Sequence, residues 1–368
     1  MHHSRLWRRL SEAIEASSSP LQSATLRVKR AVLTARHGQH AVARDELTAL
    51  HQLNFQSPLR ELGAWLHYAE GVTLYFSEFG SCDVAKLERA INLAAALGDV
   101  ELQGLCGAWL AWFSYVQHDV LAVARHALAT RPLLEATHHA AQSRLALTLA
   151  VAHDFAGQPT QAQAWYGYAR QHVATEGDDA GQSAVIFNSA SMRVAQVRRE
   201  SLQCAATGSA SAVQRMHTLS AEHYDAAKHI GLMPELGPLM RAQLLVAAGD
   251  HAAARELYVA HLPGIHSSSG LNRLSSSLLA DVALCSAHLG ETALALQQAE
   301  AAELECNAEV EIDDRMITWG RLAQVYERLE RPESAVRAQA LAGQEREAFA
   351  LQQRQWAAAL AAPELNLP

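Results

Sequence analysis

The sequence predicts an all-α chain of stacked helix–turn–helix hairpins, an α-solenoid of about eight units. Three observations carry that expectation. Ala and Leu, the residues that lose least on entering a helix, dominate an apolar fraction of 49%, while aromatics make up only 6%. No sustained alternation of β-branched residues occurs, so a strand-rich fold has no support. Short turn signals centred on Gly38, Gly80, His118, Gly157, Gly249, Gly290 and Arg331 punctuate the helical stretches. Their spacing is about 40 residues, with one interval about twice as long.

Taken in order, the hairpins turn at His37-Gly38-Gln39, Phe79-Gly80-Ser81, Gln117-His118-Asp119 and Ala156-Gly157-Gln158. The long interval holds two units, with Gly208 near its middle, and ends at Ala248-Gly249-Asp250. Leu289-Gly290-Glu291 and Glu330-Arg331-Pro332 mark the last two. At each turn a residue tolerant of left-handed backbone releases the first helix, and a polar residue helps to start the second. Glu176–Gly181 and Pro263–Gly270 read as loops between hairpins within a single array spanning 1–368. The first of these loops would divide the chain into sub-arrays 1–176 and 182–368. After Pro332 breakers are nearly absent, which predicts a long C-terminal helix over about 333–360 that caps the array or pairs with a second copy.

Several units carry a recurring residue pattern. In the last, Trp319, Leu322, Ala323 and Tyr326 precede the turn, and Ala335 and Ala342 follow it. The unit at Gly157 has Ala162, Tyr166 and Ala169; the unit at Gly249 has Ala242 and Leu245, then Ala254 and Tyr258. Small residues at these places let two helices approach while the aromatic fills the groove between successive hairpins. This pattern resembles the tetratricopeptide (TPR) repeat. The long units, with Arg89–Ala94 running to Leu97-Gly98-Asp99, resemble the repeat arms of bacterial LuxR-type activators and TPR-linked signalling proteins. The first unit and the stretch Gln182–Gly231 depart from the motif. The resemblance implies a right-handed solenoid and a regulatory binding role.

The bulk numbers narrow the function. With a net charge of −8, the 368-residue chain has no electrostatic reason to bind nucleic acid directly. Arg5, Arg8 and Arg9 read as the solvated face of a first helix. Cys82, Cys106, Cys204, Cys285 and Cys306 are scattered and lack CxxC spacing, which argues for a reducing compartment without a disulfide framework or a structural zinc site. No apolar run approaches a membrane span, and the expected location is cytoplasmic.

No nucleophile elbow, phosphate-binding loop or cofactor motif occurs, so the chain is expected to be non-enzymatic and without a cofactor. His138-His139, His126 and His153-Asp154 lack metal-ligand spacing. The acidic run Glu303, Glu305, Glu309, Glu311, Asp313 and Asp314 reads as a solvated loop and helix start. The positive expectation is a concave groove lined by the first helix of each hairpin, taking a protein or peptide partner or a small effector. Exposed groove positions in the last three units are Gln243, Val246, His288, Gln324, Glu327 and Arg328. Trp65, Tyr68, Tyr75, Trp112 and Tyr115 are further anchors, although each is expected in the core more often than in a contact. A second reading is an α/α-toroid carbohydrate hydrolase or lyase, for which Asp154 and Glu327 would be the carboxylates. A third is a structural module forming a homodimer through its last helix.

Overall fold

The computed structural model describes residues 4–367 except 79, 203–219, 221, 229, 231–234 and 267–273. Phe79, Cys204, Gly208, Gly231 and the end of the Pro263–Gly270 loop therefore lie outside the described residues. Among the described residues all regular structure is helical and no strand occurs. None of these helices is long and apolar enough to cross a membrane. The chain divides into two compact units. The first comprises Met1–Asn188, Tyr224–Leu232 and Gln355–Pro368, and the second Ser189–His223 and Met233–Arg354.

The first unit contains α1 (Arg5–Ala16), α2 (Pro20–Arg36), α3 (His40–Gln56), α4 (Arg60–Ser77) and α5 (Val84–Leu97). It continues with α6 (Val100–Val116), α7 (Val120–Thr130), α8 (His139–Phe155), α9 (Pro159–Glu176) and the first half of α10 (Asp179–Glu200). The second unit takes the rest of α10, then α11 (Leu236–Ala247), α12 (His251–His266), α13 (Ser275–His288), α14 (Thr292–Glu305) and α15 (Ile312–Arg328). It also holds most of α16 (Pro332–Ala359).

The turns form where the punctuation predicts them. Gly38, Gly80, His118, Gly157, Gly249 and Gly290 all have φ between 57° and 86°. At the last turn the left-handed residue is Glu330, at 55°, one position before Arg331. A side chain in that region crowds the following carbonyl at a cost of about 1–2 kcal/mol, which is why glycine holds most of these places. Some helix starts carry a side-chain cap. Asp83, Asp99 and Asp119 accept the backbone N–H of Lys86, Leu102 and Ala122 at 3.1, 2.9 and 2.9 Å. Each such cap contributes about 1 kcal/mol.

Consecutive helices pair, α2 with α3, α4 with α5, α6 with α7 and α8 with α9, and α2 packs on α4 and α6 on α8. In the second unit α11 pairs with α12 and α13 with α14, and α13 also packs on α15. Almost every residue of α6 from Leu102 to Ser114 and of α8 from Ala141 to Phe155 is buried. A helix that is apolar all round belongs inside, so these two form the centre of the first unit. Tyr75 of α4 meets Trp109 and Phe113 of α6 with ring centroids 5.9 and 5.6 Å apart. The chain's end packs here too: Trp356 is 1% exposed and lies 4.9 Å from Phe155.

The first predicted loop is a tighter structure, and the described start of the second is helical. Gly177, at φ 74°, ends α9, and Asp178 caps α10 by accepting the N–H of Gly181 at 2.9 Å, so Glu176–Gly181 is a turn rather than a loop. At the second, α12 runs through Pro263 to His266. A proline this close to a helix end removes one backbone bond and leaves little helix beyond it to disrupt.

Candidate functional site

In the first unit a partly open cavity of about 410 Å³ lies among α1, α2, α6 and α8. Leu6, Leu10 and Ala13 of α1 form one wall, Leu26, Val32 and Leu33 of α2 a second, and Leu105 of α6 with Ala140 and Ala141 of α8 a third. The helix α1 is placed by its amphipathic pattern. Its Leu6 and Leu10 cluster with Leu33 and Ala180, and the Leu6 N–H donates to the Gly177 carbonyl at 3.2 Å. A smaller hollow of about 30 Å³ shares Arg36, Tyr68, Leu105, Ala140 and Asp178 with the first and adds Trp109, Ser143 and Arg144.

Charge is arranged unevenly around these spaces. At the wider one, Lys29 pairs with Glu101 at 2.6 Å, Arg9 with Glu176 at 2.7 Å and Arg36 with Asp178 at 2.8 Å. Burial pushes the Glu176 carboxyl up from its ordinary value against the pull of Arg9. Arg144 is 8% exposed and has no carboxylate or hydrogen-bond acceptor at its guanidinium among the described residues. Its guanidinium carbon instead sits 4.0 Å from the Trp109 ring centroid and 5.2 Å from that of Trp112. Burial, with the positive charge of Arg36 nearby, lowers the Arg144 pKa to about 10.

The anchors predicted from sequence fall in both units. In the first, Trp65, Tyr68, Tyr75 and Trp112 are buried at 3–5% exposure and Tyr115 is half-buried. Tyr68 lines both hollows, and Trp112 lies beneath Arg144. Trp65 donates its indole N–H to Asp99 at 2.9 Å, and Tyr75 and Tyr115 pack within aromatic clusters. In the second unit Gln243 and Gln324 are half-buried, and His288, Glu327 and Arg328 are exposed. Gln324 accepts from Arg321 at 3.0 Å, Arg328 donates to the Ala287 carbonyl at 3.0 Å, and His288 stacks on His251 at 3.8 Å. Val246, expected on the exposed face, is 3% exposed because that side of α11 is covered. Asp154 and Glu327, the carboxylates of the toroid reading, lie in the first and second units respectively.

Sequence reasoning passed over Arg36, Trp109 and Arg144. The available signal was one arginine in the Ala/Leu run of α8, the only basic charge between Gln142 and His153 in that helix.

The second unit contains a buried ion network. Asp281 of α13, fully buried, accepts from Arg198 at 3.0 Å, Arg321 at 2.9 Å and the Tyr258 hydroxyl at 3.0 Å. Arg198 also reaches Asp314 at 3.4 Å, and Arg321 reaches the Ser201 hydroxyl at 2.7 Å. The acidic run is therefore not wholly solvated, since Asp314 is 8% exposed and burial raises its carboxyl well above the usual range. Glu311, Asp313 and Asp314 place ligand oxygens within 4.8 Å of one another, but Asp314 faces Arg198 and Asp313 faces Arg199. The histidines have local partners: His139 lies 2.9 Å from His172, His153 2.6 Å from Gln158, and His138 accepts the Glu135 N–H at 3.2 Å.

Comparison with protein-family models and with curated protein sequences finds no match.

Proposed function

We propose that the chain is a non-catalytic binding module whose ligand site is the cavity of the first unit. The observation carrying this reading is the cavity itself, about 410 Å³ with leucine on three walls. Ligand sites of this kind typically measure about 300–1,000 Å³ and combine apolar walls with a few polar groups. A volume at the lower end suits a small effector or the end of a peptide better than a whole partner helix. The charged groups at the wider part support binding over acid–base chemistry, because Arg9, Lys29 and Arg36 are each held by a carboxylate. Together with the resemblance of the repeats to regulatory arms, this makes the chain a sensor or adaptor in signalling, reporting ligand occupancy to a protein partner.

The test uses the neutral fluorescent probe N-phenyl-1-naphthylamine on the full chain. Saturable binding at one probe per chain is expected, and Ala13→Trp, which fills the cavity from α1, is expected to abolish it while preserving the circular-dichroism melt. Equal binding by the wild type and Ala13→Trp would remove the cavity as the site.

A further inference from the structure

The unpaired guanidinium in the small hollow beside the cavity gives the ligand a chemical class, an inference that rests on the cavity reading above. Arg9, Lys29, Arg36 and Arg144 face the two hollows, against Glu101, Glu176 and Asp178. Three of the cations are matched, and Arg144 is left over. A charge taken out of water without a partner is strongly disfavoured, and cation–π contacts offset only part of that cost. A site built this way is complete when an anion reaches it. The tryptophans fix the guanidinium plane, and a fixed plane presents its N–H donors in the fork geometry that carboxylates match.

The dimensions agree. The hollow of about 30 Å³ beside Arg144 holds one small polar group, since a single water needs about 10–15 Å³ measured the same way. The wider space of about 410 Å³ adjoins it, since Arg36, Tyr68 and Leu105 line both, and its lining sets leucine, alanine and Val32 beside charged side chains. A headgroup in the first and an apolar body in the second describe one amphiphilic molecule. Its charge is single, because one cation is unmatched. We propose that the cavity binds a monocarboxylate with an apolar body, the carboxylate held by Arg144 and the body lying against α1, α2 and α6. A medium-chain acyl carboxylate and the free carboxy end of an apolar peptide share this chemistry.

Calorimetry on the full chain, with tryptophan fluorescence as a second readout, separates the possibilities. The probes are decanoate, decanol and decylamine, then trileucine as its free acid and its amide. A charge-assisted pair at this site should make decanoate bind about 10–100-fold more tightly than decanol, with decylamine weakest. Arg144→Gln should erase that preference while leaving decanol within about twofold, and Arg144→Lys should restore part of it. Melting curves of each variant establish that it is folded. If the trileucine acid exceeds its amide by the same Arg144-dependent factor while decanoate does not bind, the source is a peptide end. Decanol binding as tightly as decanoate, or a preference that survives Arg144→Gln, overturns the carboxylate anchor and leaves the cavity reading standing. If no probe binds, both readings fall.

Discussion

Trp165 donates its indole N–H to the backbone carbonyl of Leu365 at 3.1 Å, tying α9 to a residue 200 positions further along the chain. Arg131 reinforces the contact. Its guanidinium carbon lies 5.4 Å from the Trp165 ring centroid, and it donates to the Asn366 carbonyl at 3.0 Å. Leu365 itself is fully buried.

The last residues therefore act as part of the core of the first unit. Leu365→Ala should lower stability by about 2–4 kcal/mol, the usual cost of emptying a buried leucine site. Trp165→Phe, which keeps a ring but leaves the carbonyl unpaired, should cost about 1–3 kcal/mol. Urea unfolding of the full chain measures both. A Leu365→Ala midpoint equal to that of the wild type would mean that the tail does not hold the unit together.

In the second unit the corresponding element is Asp281, which serves Arg198, Arg321 and Tyr258 at once. Asp281→Asn preserves the shape but leaves the Arg321 guanidinium, 2% exposed, facing no charge. Breaking a buried ion pair by removing one partner costs about 3–5 kcal/mol. Amide hydrogen exchange should show faster opening of α13 and α15 in this variant, with α6 and α8 unchanged. Unaltered protection in α13 would contradict the importance assigned to the network.

These two relationships also mark where the sequence stops being legible. The turns are readable because the left-handed requirement is local, so Gly38, Gly157, Gly249 and Gly290 mark it in the sequence itself. The burial of α6 and α8 follows from their apolar residues on every face. Asp281 and Arg198 are 83 positions apart, and Arg321 lies 40 from Asp281, so the repeat spacing puts them in separate hairpins but does not tell that their charges meet. Asp314 looks like a helix-start acid because it is one, and its pairing with Arg198 depends on a helix 116 positions away. Val246 shows the same limit: amphipathic spacing predicts an outward face, but neighbouring helices decide which faces remain outward. Arg144 is visible in the sequence only as a charge in a mostly apolar helix, and its tryptophan bed comes from α6.

Acid should weaken the first unit through His37. Both of its ring nitrogens are buried without a hydrogen-bond partner. Burial first, and the Arg36 charge second, lower its pKa from 6.5 to about 4, with Asp178 opposing. The unfolded chain takes up this proton near pH 6.5, whereas the folded chain resists it until about pH 4. The contribution is therefore fully present above pH 6.5 and is lost as the pH falls toward 4, by up to about 3 kcal/mol. His37→Leu should flatten the melting temperature measured between pH 7.5 and 4.5 relative to wild type. Parallel curves for the two proteins would show that another group governs the acid response.

Arg144 allows a stability test that is independent of any ligand. If it were present to support the fold, removing it would destabilise the first unit, as removing Asp281 should destabilise the second. An unmatched guanidinium opposes folding instead, because its desolvation exceeds the return from Trp109 and Trp112. Arg144→Met keeps most of the side-chain volume and removes the charge, so the ligand-free variant should unfold at or above the wild-type temperature, by up to about 1–2 kcal/mol. Trp109→Ala, which empties part of the core, should lose about 3–5 kcal/mol under the same conditions. Differential scanning calorimetry on both variants decides the matter. A large loss for Arg144→Met would make the residue structural. A gain would mean that the fold carries an unfavourable charge in the small hollow beside its cavity, a cost that an anionic ligand would offset.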